Sequence, residues 1–416
     1  MRGIESLAIG QRLAGLWARL MDAMRESPDG AVPHTAIAGA QVVWLLGKVQ
    51  SGKSSIVRAI TAASAAEIGE GFRPCTRSAR VFDYPSAAPV IRFLDTRGLG
   101  EAGYDPAEDL AVAERHAQLL LVVMRARDVQ QEAVVAAVAA VRRRHPDWPV
   151  VVAQTCLHDG YDPGGTHVLP YPFTDDTVRP AGVPEDLIRS LAHQRRLFDA
   201  IGTGGPVVFV PVDLTGPEDG FTPQNYGLDA LQDAIVAAAP AGLASLLRQI
   251  QAAGADDVAR RANGLSLGYA TAAAAVDVVP IAGAVAVPGV QAKLLHALGT
   301  LHGVKWDRRA LAEFAGCLGA GVLVRLLTVF GIRQVTKLVP VYGQTAGSAA
   351  AAAASFATTF ALGKAAHAYL AGRRHGGFDP ATVAEAYRGA LAAAFRLRHT
   401  REPGDIERRS DDHAQR

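Results

Sequence analysis

The stretch Gln41–Val57, QVVWLLGKVQSGKSSIV, constrains the fold of this chain more than any other. An apolar run of strand-forming character (Val42, Val43, Trp44, Leu45, Leu46) stops at a glycine, and Gly47–Ser54 then matches G-x-x-x-x-G-K-[ST]. Ser55, Ile56, Val57, Ala59 and Ile60 continue at once with helical character. The glycines let the backbone turn back on itself. Successive N–H groups of Gly47, Lys48, Val49, Gln50, Ser51, Gly52, Lys53, Ser54 and Ser55 then face one concave point suited to phosphate oxygens. Lys53 is placed to reach the outer phosphates, and the Ser54 hydroxyl to ligate Mg2+. The helix that starts there aims the positive end of its dipole at the same anion. A chance glycine turn is the competing explanation, and the full pattern between a strand and a helix outweighs it.

From Gln41 to about Pro240 apolar runs alternate with helical patterns. Strands are expected at 41–46, 89–94, 118–124, 149–154 and 206–211, and helices at 53–67, 105–116, 128–144, 185–202 and 227–238. Short apolar strands separated by helices imply an α/β fold: a doubly wound, mostly parallel sheet covered on both faces, spanning residues 39–240. Ligands of such sheets bind at the carboxyl ends of the strands, where the glycine loop lies. Beyond 240 only helical patterns remain, so an all-α domain rich in alanine and glycine is expected over 241–398. Residues 1–38 read as an amphipathic helix (3–26) with a linker, and the charged tail 399–416 as disordered.

At the end of the strand PVIRFL stands Asp95-Thr96-Arg97-Gly98-Leu99. An aspartate there can hold Mg2+ opposite Ser54, and Gly98 lets a backbone N–H approach a γ-phosphate closely. Thr76, in the irregular run GFRPCTRSARVF, can bring a hydroxyl and a carbonyl to the metal when a loop closes. Gly47–Ser54, Thr76 and Asp95–Gly98 together resemble the first three motifs of bacterial translation-factor-type GTPases, in particular the Era/TrmE/septin-like group, over roughly residues 40–240. The resemblance implies a P-loop G domain that takes GTP with Mg2+. Lys53, Thr76 and Gly98 would serve catalysis, Ser54, Thr76 and Asp95 would hold the metal, and loops 70–80 and 96–105 would switch with the γ-phosphate.

Two positions depart from that pattern. Leu99 stands where some relatives carry the glutamine that orients the attacking water; an apolar side chain cannot do so, so slow intrinsic hydrolysis is expected. The guanine-reading motif is degenerate: Thr155-Cys156-Leu157-His158-Asp159 lacks the lysine that stacks on the base. Asp159 can accept two hydrogen bonds from a guanine edge, or it can merely cap the following turn; both stay open. The segment 157–183 reads as an irregular insertion, a cover over the nucleotide or a docking surface.

Residues 268–370 resemble an uncharacterised helical domain that follows some bacterial GTPase domains. The resemblance is carried by Val276–Gly283, Trp306–Arg309, Gly343-Gln344 and the run ending Ala361-Leu362-Gly363-Lys364. Segment 345–363 is about long enough to span a bilayer, but Asp277, Pro280 and Pro288 interrupt 265–290, and the intervening Lys and Arg residues oppose a spanning pair. A soluble bundle that docks on a membrane surface or a partner is the favoured expectation, with a homodimer also open.

A net charge of +2 excludes a bulk field for nucleic acid. The three scattered cysteines and an interrupted N-terminal apolar run point to the cytoplasm, with association with or insertion in the inner membrane as the variant. No G-x-S-x-G, H-E-x-x-H or C-x-x-C motif offers other chemistry. The expectation is a slow GTPase acting as a nucleotide-dependent switch coupled to the helical half. An ATP-using P-loop enzyme, or an interaction protein whose P-loop barely hydrolyses, are the alternatives.

Overall fold

A computed structural model describes residues 40–63, 73–74, 79–96, 117–162, 165–174, 180–199, 201, 204–216, 221–252, 256–277, 282–319 and 346–399. The described residues fall into two compact units that divide between Arg261 and Ala262.

The first unit is built on a seven-stranded sheet. Its strands are β1 (Gln41–Leu46), β2 (Arg73–Pro74), β3 (Ala79–Tyr84), β4 (Ile91–Thr96), β5 (Ala117–Arg125), β6 (Val150–Thr155) and β7 (Val207–Pro211), in the order β2-β3-β4-β1-β5-β6-β7. β1, β4, β5, β6 and β7 run parallel, and the β2–β3 and β3–β4 pairs are antiparallel. The doubly wound, mostly parallel α/β fold is therefore present, as expected, with an antiparallel edge that the sequence reading left irregular.

The helices of this unit are α1 (Lys53–Thr61), α2 (Glu132–Arg144), α3 (Glu185–Asp199), α4 (Leu228–Ala238) and α5 (Ala241–Gln251). Val42, Trp44, Leu120, Val122, Met124, Val150 and Val152 form one cluster with Val134, Ala137, Val138 and Val141 of α2. Their odd-numbered neighbours Val43, Leu45, Leu119, Leu121 and Val151 point to the other face and are equally buried. Burial on both faces is why these strands read as unbroken apolar runs rather than alternating ones. Each such side chain contributes about 1.5–3 kcal/mol relative to exposure.

Strand bounds follow backbone chemistry. β4 starts at Ile91, two residues later than expected, because a turn over Pro85–Ala88 (Ala88 N–H to Pro85 O, 3.2 Å) brings the chain back and the Val90 N–H then donates to Tyr84 O (2.9 Å). β3 escaped the pattern because it buries a charge: Asp83 is 3% exposed and takes a two-pronged bond from Arg92 on β4 (2.6 and 3.1 Å).

The second unit holds most of α6 (Asp257–Asp277), then α7 (Ala282–His302), α8 (Arg308–Leu318), α9 (Ala346–Arg374) and α10 (Pro380–His399). Trp306, Phe314, Tyr369 and Phe378 make an aromatic cluster, and the Trp306 indole N–H donates to Leu295 O (2.6 Å). A Cβ on Gly363 of α9 would collide with Ser266 of α6, so glycine lets those helices approach closely. The interior also carries polar pairs: Ser355–Asp277 (2.7 Å), Gln291–Thr359 (3.1 Å) and Lys364–Asn263 (3.2 Å). No helix among the described residues is long and apolar enough to cross a membrane. The expected helix over 3–26, the helix over 105–116 and the tail after 399 lie outside the described residues.

Candidate nucleotide site

The site begins where β1 runs out. A Cβ on Gly47 would fall inside the contact distance of the Val123 carbonyl oxygen on β5, so only glycine lets the chain leave the sheet here. Gln50 (φ 61°) and Gly52 (φ 94°) are both left-handed, and Gly52 then caps α1. Alternation of this kind turns neighbouring N–H groups toward one side, the geometry of an anion cradle. The loop is also held from below. The Thr155 hydroxyl, at the end of β6, donates to Ser51 O at 2.6 Å, and both residues are 3% exposed.

Lys53 folds back over the loop. Its ammonium donates to Gly47 O (2.8 Å) and Lys48 O (2.7 Å), which leaves it beside the cradle rather than in solvent. Asp95, at the end of β4, places Oδ1 3.6 Å from Lys53 Nζ. That distance makes an ion pair but not a hydrogen bond, and Oδ1 has no donor among the described residues. Burial pushes the Asp95 carboxyl up to about 6, with Lys53 and Arg80 opposing the rise. Burial also lowers the Lys53 ammonium, with Asp95 opposing. An undonated buried carboxylate oxygen, with the exposed Ser54 at the start of α1, is a donor set that suits a hard divalent cation such as Mg2+. Thr76 and Gly98 lie outside the described residues.

On the other side of the loop a cleft of about 430 Å³ runs from Lys48, Val49, Gln50 and Ser51 to Arg125, Asp128 and Asp159. Lys48 Nζ bonds Asp128 Oδ2 at 2.9 Å, tying the loop to the turn after β5. That turn is braced from beneath: Gln194 Nε2 donates to Arg125 O (2.8 Å) and Asp128 O (3.1 Å), and Gln154 Nε2 donates to Gln194 Oε1 (3.0 Å).

Asp159 sits in a 3₁₀ turn, Leu157–Gly160, entered through Cys156 at φ 56°. Asp213, 1% exposed, anchors the turn. It accepts the His158 N–H at 2.7 Å, lies 2.7 Å from His158 Nδ1, and lies 3.0 Å from His167 Nε2 in the 157–183 insertion. Both carboxylate oxygens of Asp159 accept from Arg125, Nε–Oδ2 at 2.6 Å and Nη2–Oδ1 at 3.1 Å.

The structure thus brings Gly47–Ser55, Asp95 and Asp159 around the end of β1. Sequence reasoning missed the Thr155 tether, the Asp213 anchor and Arg125. All three depend on tertiary placement: Thr155 lies 104 residues beyond the Ser51 carbonyl it meets.

Residues 42–155 match the family described as 50S ribosome-binding GTPase. No curated protein matches the sequence. Among solved structures, a variant of SsGBP is 12% identical over 52% of this chain and 60% of its own, at a TM-score of 0.30. The bacterial selenocysteine-specific elongation factor EF-Sec is 12% identical over 47% of this chain and 28% of its own, at 0.28. The elongation factor SelB from Methanococcus maripaludis, in complex with the GTP analogue GppNHp, is 14% identical over 48% of this chain and 33% of its own, at 0.27. This chain spans less than two thirds of each of them. The family match, falling on the strand, loop and turn that carry the geometry above, makes residues 42–155 a P-loop GTPase domain.

Proposed function

We propose that this protein binds GTP with Mg2+, hydrolyses it slowly, and uses the difference between bound states to set the behaviour of its helical half. The observation that carries the reading is the pairing of Lys53 with Asp95, 3.6 Å apart, beside a loop that turns through left-handed Gln50 and Gly52. A lysine and a carboxylate already positioned beside the loop cost little reorganisation when phosphates arrive. The N–H groups of residues 48–54 take the β-phosphate oxygens, and Lys53 exchanges its two carbonyl partners for the β/γ oxygens.

Ser54, Thr76 and Asp95 are the residues that would hold Mg2+, which when bound neutralises charge on the same oxygens. Gly98 offers a backbone N–H to the γ-phosphate, and Leu99 offers nothing that orients water, which is the reason for slow turnover. Asp159 reads the base. The loops at 70–80 and 96–105 respond to the γ-phosphate, and the helical unit answers by engaging a partner or a membrane surface.

Calorimetric titration of the full chain with GTP and ATP in Mg2+, followed by single-turnover hydrolysis, tests this. GTP binding that Lys53→Ala abolishes, with turnover below about one per minute, is the expected outcome. Equal affinity for ATP, or binding untouched by Lys53→Ala, overturns it. Hydrogen exchange over 240–370 tests the coupling: identical patterns with GDP and a GTP analogue end it.

A further inference from the structure

The base-reading carboxylate already holds a ligand of its own chain. Arg125 closes β5, and its guanidinium meets Asp159 edge-on through Nε and Nη2 (2.6 and 3.1 Å). Those two N–H groups are parallel donors on adjacent atoms of one planar group. Guanine presents the same pattern on its N1–H and N2–H edge, whereas adenine offers an acceptor and a C–H there. A carboxylate has one face on which such a fork fits two-pronged, so arginine and guanine compete for it.

The two partners differ in freedom. Asp159 is fixed through the turn that Asp213 anchors, and its side chain is 24% exposed. The Arg125 side chain is 44% exposed at the mouth of the cleft, so it is the member able to leave.

We propose that Arg125 is an internal competitor for guanine at Asp159, so that base selection in this protein is an exchange of one planar donor fork for another. The inference rests on the guanine-nucleotide reading above. It also accounts for the altered motif: with Leu157 in the usual place of the stacking lysine, the arginine beside the base comes from the neighbouring strand. Displaced, its guanidinium remains at the cleft edge. The exchange weakens guanine binding only modestly, because an exposed ion pair biases an equilibrium by up to about fivefold.

The test titrates the full chain with GTP, ATP and ITP in Mg2+. It compares wild type with Arg125→Met, which keeps the aliphatic stem but has no fork, and Arg125→Lys, which keeps the charge but has no fork. Arg125 is exposed, and thermal unfolding confirms that each variant folds. The expected result is GTP affinity about two- to fivefold higher in Arg125→Met with ATP unchanged, a rise in GTP/ATP ratio in Arg125→Lys as well, and a smaller gain for ITP, which lacks the N2 amino group. In an Asp159→Ala background the Arg125 change is silent.

Weaker GTP binding in Arg125→Met overturns the proposal in favour of a supporting contact. Equal shifts for GTP and ATP reduce Arg125 to a general charge. Wild-type GTP binding with a silent Arg125→Met removes this inference alone, whereas no GTP binding in wild type removes both readings.

Discussion

Replacing Thr155 by valine keeps the shape of the side chain and deletes one hydroxyl. Its Oγ1 lies 2.6 Å from Ser51 O, with both residues 3% exposed, so no water takes its place at that carbonyl. Leaving a buried acceptor without its donor costs about 1–3 kcal/mol. The retained methyl still fills the space beside Gly52, where a Cβ would sit 3.5 Å from Thr155, so no cavity term is added. Thr155→Ser is the matched control: it keeps the hydroxyl and loses a methyl, costing about 0.8 kcal/mol of burial.

Both variants therefore lower the urea midpoint, but they separate in nucleotide binding. Only the valine frees the glycine loop from β6, so only it must reorder the loop when phosphate binds. A tether worth about 1.4 kcal/mol corresponds to a tenfold loss in GTP affinity. Fluorescent-nucleotide titration of both variants decides the matter. If Thr155→Val binds GTP as tightly as Thr155→Ser, the hydroxyl is structural padding and the tether argument is wrong.

Gly47→Ala forces a Cβ against the Val123 carbonyl and is expected to destabilise the first unit by about 1–3 kcal/mol or more, read as a drop in melting temperature; an unchanged melt refutes the close approach. Asp213→Leu strips the His158 N–H of its acceptor, and an expected loss of about 2–4 kcal/mol should come with reduced GTP/ATP discrimination as the Leu157–Gly160 turn shifts. Lys364 has its pKa lowered by burial, so the folded state binds that proton more weakly than the unfolded chain. The cost is full below the folded-state pKa and fades as pH rises toward the ordinary lysine range. Lys364→Met removes this pH dependence, so its urea midpoint relative to wild type should fall between pH 7 and pH 10; a difference that stays constant counts against the burial argument.

The parts of the fold legible in sequence were those whose cause is local. β1 falls on Gln41–Leu46, as expected, because an apolar run ends at a glycine that cannot be anything else. α4 begins within a residue of its expected start at 227, where Gly227 caps it. β3 was not legible, because Asp83 looks like a surface residue until Arg92 is found across the strand pair. The same limit applies at the site. The loop and Asp95 could be read from spacing, but whether the Asp159 carboxylate is engaged depends on Arg125, 34 residues earlier in the chain. Tertiary partners decide the availability of a polar group, and spacing does not record them.

Alanine and glycine surfaces are smooth, and helices faced with them could slide past one another at little cost. The cross-helix pairs Ser355–Asp277, Gln291–Thr359 and Lys364–Asn263 work against this like the teeth of a ratchet. Shifting α9 by a single turn, about 5.4 Å, would break all three together. The helical unit therefore has one register in which its interior is quiet, and intermediate settings are uphill on every tooth. A displacement of α9 must therefore give up all three pairs at once rather than one by one.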